Sequence, residues 1–303
     1  MKRHVSEHLG YRFKGHANFD FVDVNLLHDN LLFIDPCLLE YSAFAAATEA
    51  SVVLQNFFDE LYKSLRDGDH DRFRELLRHA GERNATKLGY GNGENGHGST
   101  EDGLADKLAP LWRLVKKVPF EKPMDLPVFI RGFDKDGLSD LITNVISKQL
   151  LNFTLEQCKK VNEKVNMATL TPMPHWYWDP NKRNWVEEVA KHATYNSKQL
   201  LLVPKDCVRF DFVYDVDDYI SRVILERKKQ ETKYTNDAGK TRYGVTKKEL
   251  EEAIPKDEKS WRYDYSTEQT RSQPDSLAEY HRVISSLYGE KRLSDEELDD
   301  RIY

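Results

Sequence analysis

The sequence is poor in the patterns that announce a chemistry. It holds three cysteines, Cys37, Cys158 and Cys207, far apart and without a CxxC. That argues against a disulfide framework or a cysteine-rich zinc site and fits buried thiols in a reducing compartment. Its ten histidines form no HxH pair and no HExxH, so histidine-based metal chemistry gets no support. There is no GxSxG elbow, and no cysteine has a histidine at motif spacing, which leaves nucleophilic hydrolysis equally unsupported. No apolar run approaches the ~20 residues of a membrane span, and the segment Met1 to His8 lacks the apolar centre of a signal peptide. A cytoplasmic protein with no membrane partner is the expectation. A net charge of -6 excludes a global attraction to nucleic acid.

What is there supports a folded molecule. The chain has 303 residues, 39% of them hydrophobic, enough for a sizeable core in one large domain or two small ones. Charged residues make up 32%, above the ~25% typical of globular chains, so its helices carry charged outer faces.

Apolar residues recur at helical spacing from Ser42 to about Arg66, over Asp71 to His79, from about Glu101 to Lys117, and from Leu141 to Cys158. Further helices are predicted over Asp217 to Glu231, Thr246 to Ile254 and Pro274 to Leu287, with an acidic tail from Gly289 that frays. Phe19–Val24 alternates and Leu31–Ile34 is apolar, which predicts a β-hairpin; Pro127 to Ile130, Leu200 to Val203 and Val208 to Val213 read as strands. Thr171 to Pro180 reads as a proline-pinned aromatic loop. The fold class expected is mixed α/β or α+β with a helical N-terminal half. A soft boundary in the proline-punctuated stretch Pro119 to Pro127 separates residues 1–120 from a core over 121–303.

Acids, a glycine turn and a helix start converge in Asp134-Lys-Asp136-Gly-Leu-Ser-Asp140. Carboxylates at the end of a strand are a common way to hold Mg²⁺, which polarises a phosphoryl oxygen or generates hydroxide. Asp136 and Asp140 are the candidate metal ligands, Glu82 a third acid, and Lys205 the cation that would steady the phosphate or the attacking water. The bland reading is that Asp136 and Ser139 cap a helix and Asp140 favours its positive end. Asp134-x-Asp136-Gly also matches the opening of a calcium loop, but Leu138 and Val145 stand where its later ligands belong. Five glycines between Gly89 and Gly98 form either a mobile surface loop or one that orders against a ligand through His97.

Between Arg222 and Lys248 nine lysines or arginines face three acids. Arg227, Lys228, Lys229, Lys233, Lys240 and Arg242, with Tyr234 and Tyr243, suit nucleic acid: cations for phosphates and aromatic rings for bases. A solvated helix and hairpin explain the run equally well. Trp176, Trp178 and Trp185 are more in keeping with a core plug or a partner-facing surface than with a base-stacking platform.

Leu31-Leu-Phe-Ile-Asp-Pro36, the glycine loop, Asp136-Gly-Leu-Ser-Asp-Leu-Ile-Thr-Asn144 and Leu200-Leu-Leu-Val-Pro-Lys205 resemble a group of bacterial proteins associated with defence and mobile-element regions. The resemblance covers roughly residues 19 to 210. It implies an antiphage role, with a restriction-endonuclease-like core as one form of it, and directs attention to Asp136, Asp140 and Lys205. The chain departs from the nuclease pattern in lacking an acid two residues before Lys205. Two functions follow as expectations: a Mg²⁺-dependent nuclease acting on nucleic acid within a defence complex, or a non-catalytic subunit that binds a larger partner protein or nucleic acid.

Overall fold

The computed structural model describes residues 3–81, 85–90, 101–165, 170–256 and 258–303. The fold is α+β, dominated by helices with small antiparallel sheets. Its buried apolar side chains form one continuous core from Val5 to Ile302.

Helices α1 (Val5–Leu9) and α2 (Pro36–Tyr41) flank the first strand, β1 (Phe33–Ile34). Asp35 caps α2 by accepting the Cys37 N–H, with Pro36 in the first turn, where its missing donor costs nothing. The long α3 (Ala45–Asp67) buries Val53, Leu54, Phe57, Phe58 and Leu61, and Gly68 ends it at φ 73°. Asp69 at once caps α4 (His70–Leu77). The segment Glu101 to Lys117 divides into α5 (Glu101–Leu108) and α6 (Leu111–Leu114) around Pro110.

The apolar run at Pro127 is α7 (Asp125–Phe129), a helix and not the predicted strand. The buried Asp125 carboxylate accepts the Glu121 and Lys122 N–H groups and ties the turn together. Gly132 (φ 79°) turns the chain into α8 (Lys135–Val145), so the acidic stretch joins two helices. The predicted helix from Leu141 to Cys158 is interrupted at Ile146, between α8 and α9 (Ser147–Val165).

The stretch expected as an aromatic loop is instead β2 (Leu170–Asp179), paired antiparallel with β3 (Asn184–Tyr195), which also pairs β4 (Lys198–Leu200). Pro172 and Pro174 are tolerated because β2 is an edge strand. Trp178 and Trp185 sit opposite each other, and both indoles are held at the helix layer. Trp178 Nε1 donates to Asn56 Oδ1 at 2.9 Å, and Trp185 Nε1 to the Leu76 carbonyl at 2.8 Å.

No hairpin joins residues 19–24 to 31–34. Phe33 and Ile34 pair with Arg209 and Val208 of β5 (Val208–Arg209), while Val22 donates to the Val203 carbonyl. The run Leu201 to Val203 is buried but leaves the sheet after Leu200. The Leu201 amide goes to the Ala85 carbonyl and the Leu202 amide to Thr154 Oγ1, so both are satisfied without a ladder.

Helix α10 (Val216–Tyr219) continues through a π-helical segment, Ile220–Ile224, into α11 (Leu225–Glu231). A hairpin, β6 (Lys233–Thr235) and β7 (Thr241–Tyr243), follows, then α12 (Lys247–Glu252), α13 (Trp261–Ser272) and α14 (Asp275–Tyr288). The acidic tail does not fray: it forms α15 (Asp295–Ile302) with a Ser294–Glu297 capping box. Asp299 Oδ1 accepts from the backbone N–H and from Nδ1 of the buried His16, whose Nε2 accepts the Asp23 N–H. The Tyr303 hydroxyl donates to Asp23. A charged tail thus docks because its acids find buried donors. Among the described residues, no helix is long and apolar enough to cross a membrane.

Candidate nucleic-acid interface

The acidic turn has a structural use for Asp134, Asp136 and Ser139. Asp134 caps α8 by accepting the Gly137 N–H at 3.3 Å. The Ser139 hydroxyl accepts the Ile34 N–H at 3.0 Å and fixes α8 against β1. Asp136 accepts the Tyr90 N–H at 3.3 Å. The Tyr90 backbone comes this close because residue 89 is glycine at φ 118°: a Cβ there would lie 2.6 Å from Asp136 Oδ1. Burial pushes the Asp136 carboxyl up. The Tyr90 N–H offsets part of that, and the carboxylates of Asp134 and Asp29 add to it. Asp140 lies one turn on, part-buried on the same helix.

Lys205 is engaged elsewhere. Its Nζ donates to Asp295 Oδ1 at 2.6 Å and to the His16 carbonyl at 2.7 Å, in the clasp that holds α15. Glu82 and the glycine run from Gly91 to Gly98, with His97, lie outside the described residues. Among the described residues, no three His, Cys, Asp or Glu side chains form a group able to hold a metal ion.

Because Asp136 carries a carboxyl raised in the folded state, its charge opposes folding. The penalty is absent at pH values below the unfolded carboxylate range, where both states are protonated. It grows as pH rises toward the folded value and is complete above it. Asp136→Asn, which keeps the acceptor for Tyr90, is expected to melt higher than the parent at pH 7. The gain should vanish at about pH 3, below the ordinary aspartate pKa of about 3.9. Thermal melts across that range check it; a lower melting temperature at pH 7 refutes the burial argument.

The basic run is sorted in space. On the helical part all the cations but Lys228 are matched to carboxylates. Arg227 reaches Asp275 and Glu279, Arg222 pairs with Asp218, and Lys229 and Lys247 share Glu226. Lys228 lies over the Tyr265 ring at 5.8 Å. On the hairpin they are not matched: Lys233, Lys240 and Arg242 are exposed and have no carboxylate partner among the described residues. Asn236 shapes the turn, accepting the Lys240 N–H on its side chain, and Gly239 supplies φ 71°.

Register decides what each hairpin face presents. Lys233 stands opposite Tyr243, and Tyr234 opposite Arg242. Tyr243 turns back to α11, where Lys229 lies 4.4 Å from its ring and Gln230 donates to its hydroxyl. Tyr234 and Arg242 share the other face, with Tyr234 53% exposed. An outward ring beside an outward guanidinium combines base stacking with phosphate contact. The three tryptophans are packed against the protein: Trp178 and Trp185 are buried and Trp176 stacks on His79 at 3.9 Å.

An α+β scaffold carrying a cationic hairpin is the class that fold and surface define. Residues 13–215 match the model of a family described as a domain of unknown function (DUF8370), and the chain belongs to that family. No curated protein and no solved structure matches it. The match takes in the acidic turn and Lys205 and ends before the hairpin.

Proposed function

We propose that this protein is a non-catalytic nucleic-acid-binding module whose contact element is the β6–β7 hairpin. The observation that carries the reading is the segregation of charge: the helix cations other than Lys228 are paired with carboxylates, whereas Lys233, Lys240 and Arg242 are exposed without one among the described residues, with Arg242 on the Tyr234 face of the hairpin. In a chain of net charge -6 the attraction has to be local, and a projecting hairpin keeps it away from the acidic remainder. The Mg²⁺-dependent nuclease reading has less support, because the ammonium of Lys205 is spent on Asp295. A place in bacterial defence rests on the resemblance alone.

The test is fluorescence anisotropy with labelled single-stranded and duplex oligonucleotides across a salt series. The triple variant Lys233→Ala/Lys240→Ala/Arg242→Ala is expected to bind about hundredfold more weakly, at roughly 1 kcal/mol per lost charged contact. Its salt slope should fall by about 2 to 3, near 0.7–0.9 for each phosphate contact removed. Arg227→Ala serves as the contrast: it should lower stability, since Asp275 and Glu279 lose their partner, and leave binding within a factor of about two. Equal losses of binding in the two variants, or none in the triple variant, would overturn the assignment.

A further inference from the structure

An open cleft of about 310 Å³ lies where α6 and the turn after α7 meet α13. Arg113, Lys117 and Arg131 line it, with Tyr263, Asp264 and Glu268 across from them. Of its acids, Glu268 is paired with Lys117 at 2.6 Å and with Arg271 at 3.4 Å, whereas Asp264 is exposed and held by the neutral Ser260 hydroxyl, which donates to it at 2.7 Å. Arg113 and Arg131 are exposed and have no carboxylate partner among the described residues. Two guanidiniums from different segments therefore face one cavity with their donors uncommitted.

Tyr263 stands at the centre of this region. It lines both the basic cleft and a neighbouring cleft of about 220 Å³ formed by Phe133, Asp134, Lys135, Asp211 and Asp215. Burial pushes the Tyr263 phenol up, Asp215 and Asp217 add to the shift, and Arg131 and Arg262 offset part of it. A half-buried aromatic ring beside a pair of free guanidiniums offers a flat apolar face and a forked anion clamp together. The volume sits at the lower end of ligand sites, roughly 300–1,000 Å³.

We infer that this cleft binds a nucleoside phosphate monoester, its phosphate held by Arg113 and Arg131 and its base laid against Tyr263. The phosphate monoester is either a free mononucleotide or the 5′ end of a strand. The site uses no hairpin residue, so it stands or falls separately from the nucleic-acid interface proposed above.

Calorimetric titration of the full chain with AMP, GMP, CMP and UMP, with inorganic phosphate, and with 5′-phosphorylated and 5′-hydroxyl dinucleotides tests it. Saturable binding of at least one monophosphate is expected, tighter than inorganic phosphate. Arg131→Ala and Arg113→Ala should each weaken it about tenfold or more with unchanged melting temperature, since both side chains are exposed. Tyr263→Leu should remove the advantage of the nucleotide over inorganic phosphate. The triple hairpin variant should bind the monophosphate as the parent does. Equal binding of the phosphorylated dinucleotide identifies a strand end as a ligand; rejection of it restricts the site to free nucleotides. No saturable binding of any phosphorylated probe at millimolar concentration overturns the inference. So does binding that survives in the double variant Arg113→Ala/Arg131→Ala, or inorganic phosphate binding as tightly as the nucleotides.

Discussion

Asp35→Ala is expected to destabilise the protein by about 3–5 kcal/mol, the cost of leaving a buried charge without its partner. Asp35 is fully buried, and Arg209 Nε donates to its Oδ2 at 2.5 Å. Burial pushes the Asp35 carboxyl up, and the guanidinium holds it back. Arg209 also donates to the carbonyls of Tyr288, the last residue of α14, and of Lys291 just after it, so one guanidinium joins β5, the N-cap of α2 and the C-terminal end of α14. The alanine variant strands that cation and removes the cap on Cys37 N. Asp35→Asn keeps the capping oxygen for Cys37 but replaces the Oδ2 that accepts from Arg209 by an NH2 donor, so it loses the ion pair, retains the cap, and should fall between parent and alanine. Chemical denaturation of the three proteins checks the order; an alanine variant within about 1 kcal/mol of the parent would mean that water reaches Arg209.

Trp178→Ala is the second large effect, a loss of about 3–5 kcal/mol typical of emptying a buried indole. Trp178 is 1% exposed. Its ring meets Phe57 edge-on at 5.2 Å and Trp185 at 5.8 Å, and its Nε1 bonds Asn56. These contacts fasten the three-stranded sheet to α3, so the sheet should loosen first. Hydrogen exchange should then speed up over β2 and β3 more than in α14. Trp178→Phe, which keeps most of the volume but leaves Asn56 unpaired, should cost less than alanine. Uniform exchange across the molecule would instead show that sheet and helices unfold as one unit.

The helices were largely legible because their signals are local. Leu54, Phe57, Phe58 and Leu61 repeat at helical spacing, and Gly68 and Asp69 mark one helix end and the next start. The strands were not. Thr171-Pro-Met-Pro reads as a loop from its prolines, yet it pairs with β3 because an edge strand does not need every N–H. Pro127 to Ile130 is too short for periodicity to separate strand from helix, and the turn that the Asp125 carboxylate ties to the Glu121 and Lys122 amides leads straight into α7. The tail looked solvated because its acids were counted without their partners; His16 and Asp23 lie far back in the chain.

The candidate site divided in the same way. The basic run was visible in the sequence, but its sorting into paired helix cations and free hairpin cations depends on Asp275 and Glu279, which are distant in sequence. Arg113 and Arg131 carry no motif, and only the approach of α13 makes a cleft of them. Lys205 reads like a catalytic lysine next to Asp136 and Asp140, and long-range folding gave it to Asp295. By itself, then, the sequence determined the mixed class, most of the helices, the buried thiols and a local excess of positive charge, all properties set within a few neighbouring residues. Tertiary structure alone decided which charges are spent, since an ion pair is a matter of distance in space. The acidic turn became a helix junction and the hairpin kept its free cations for that reason.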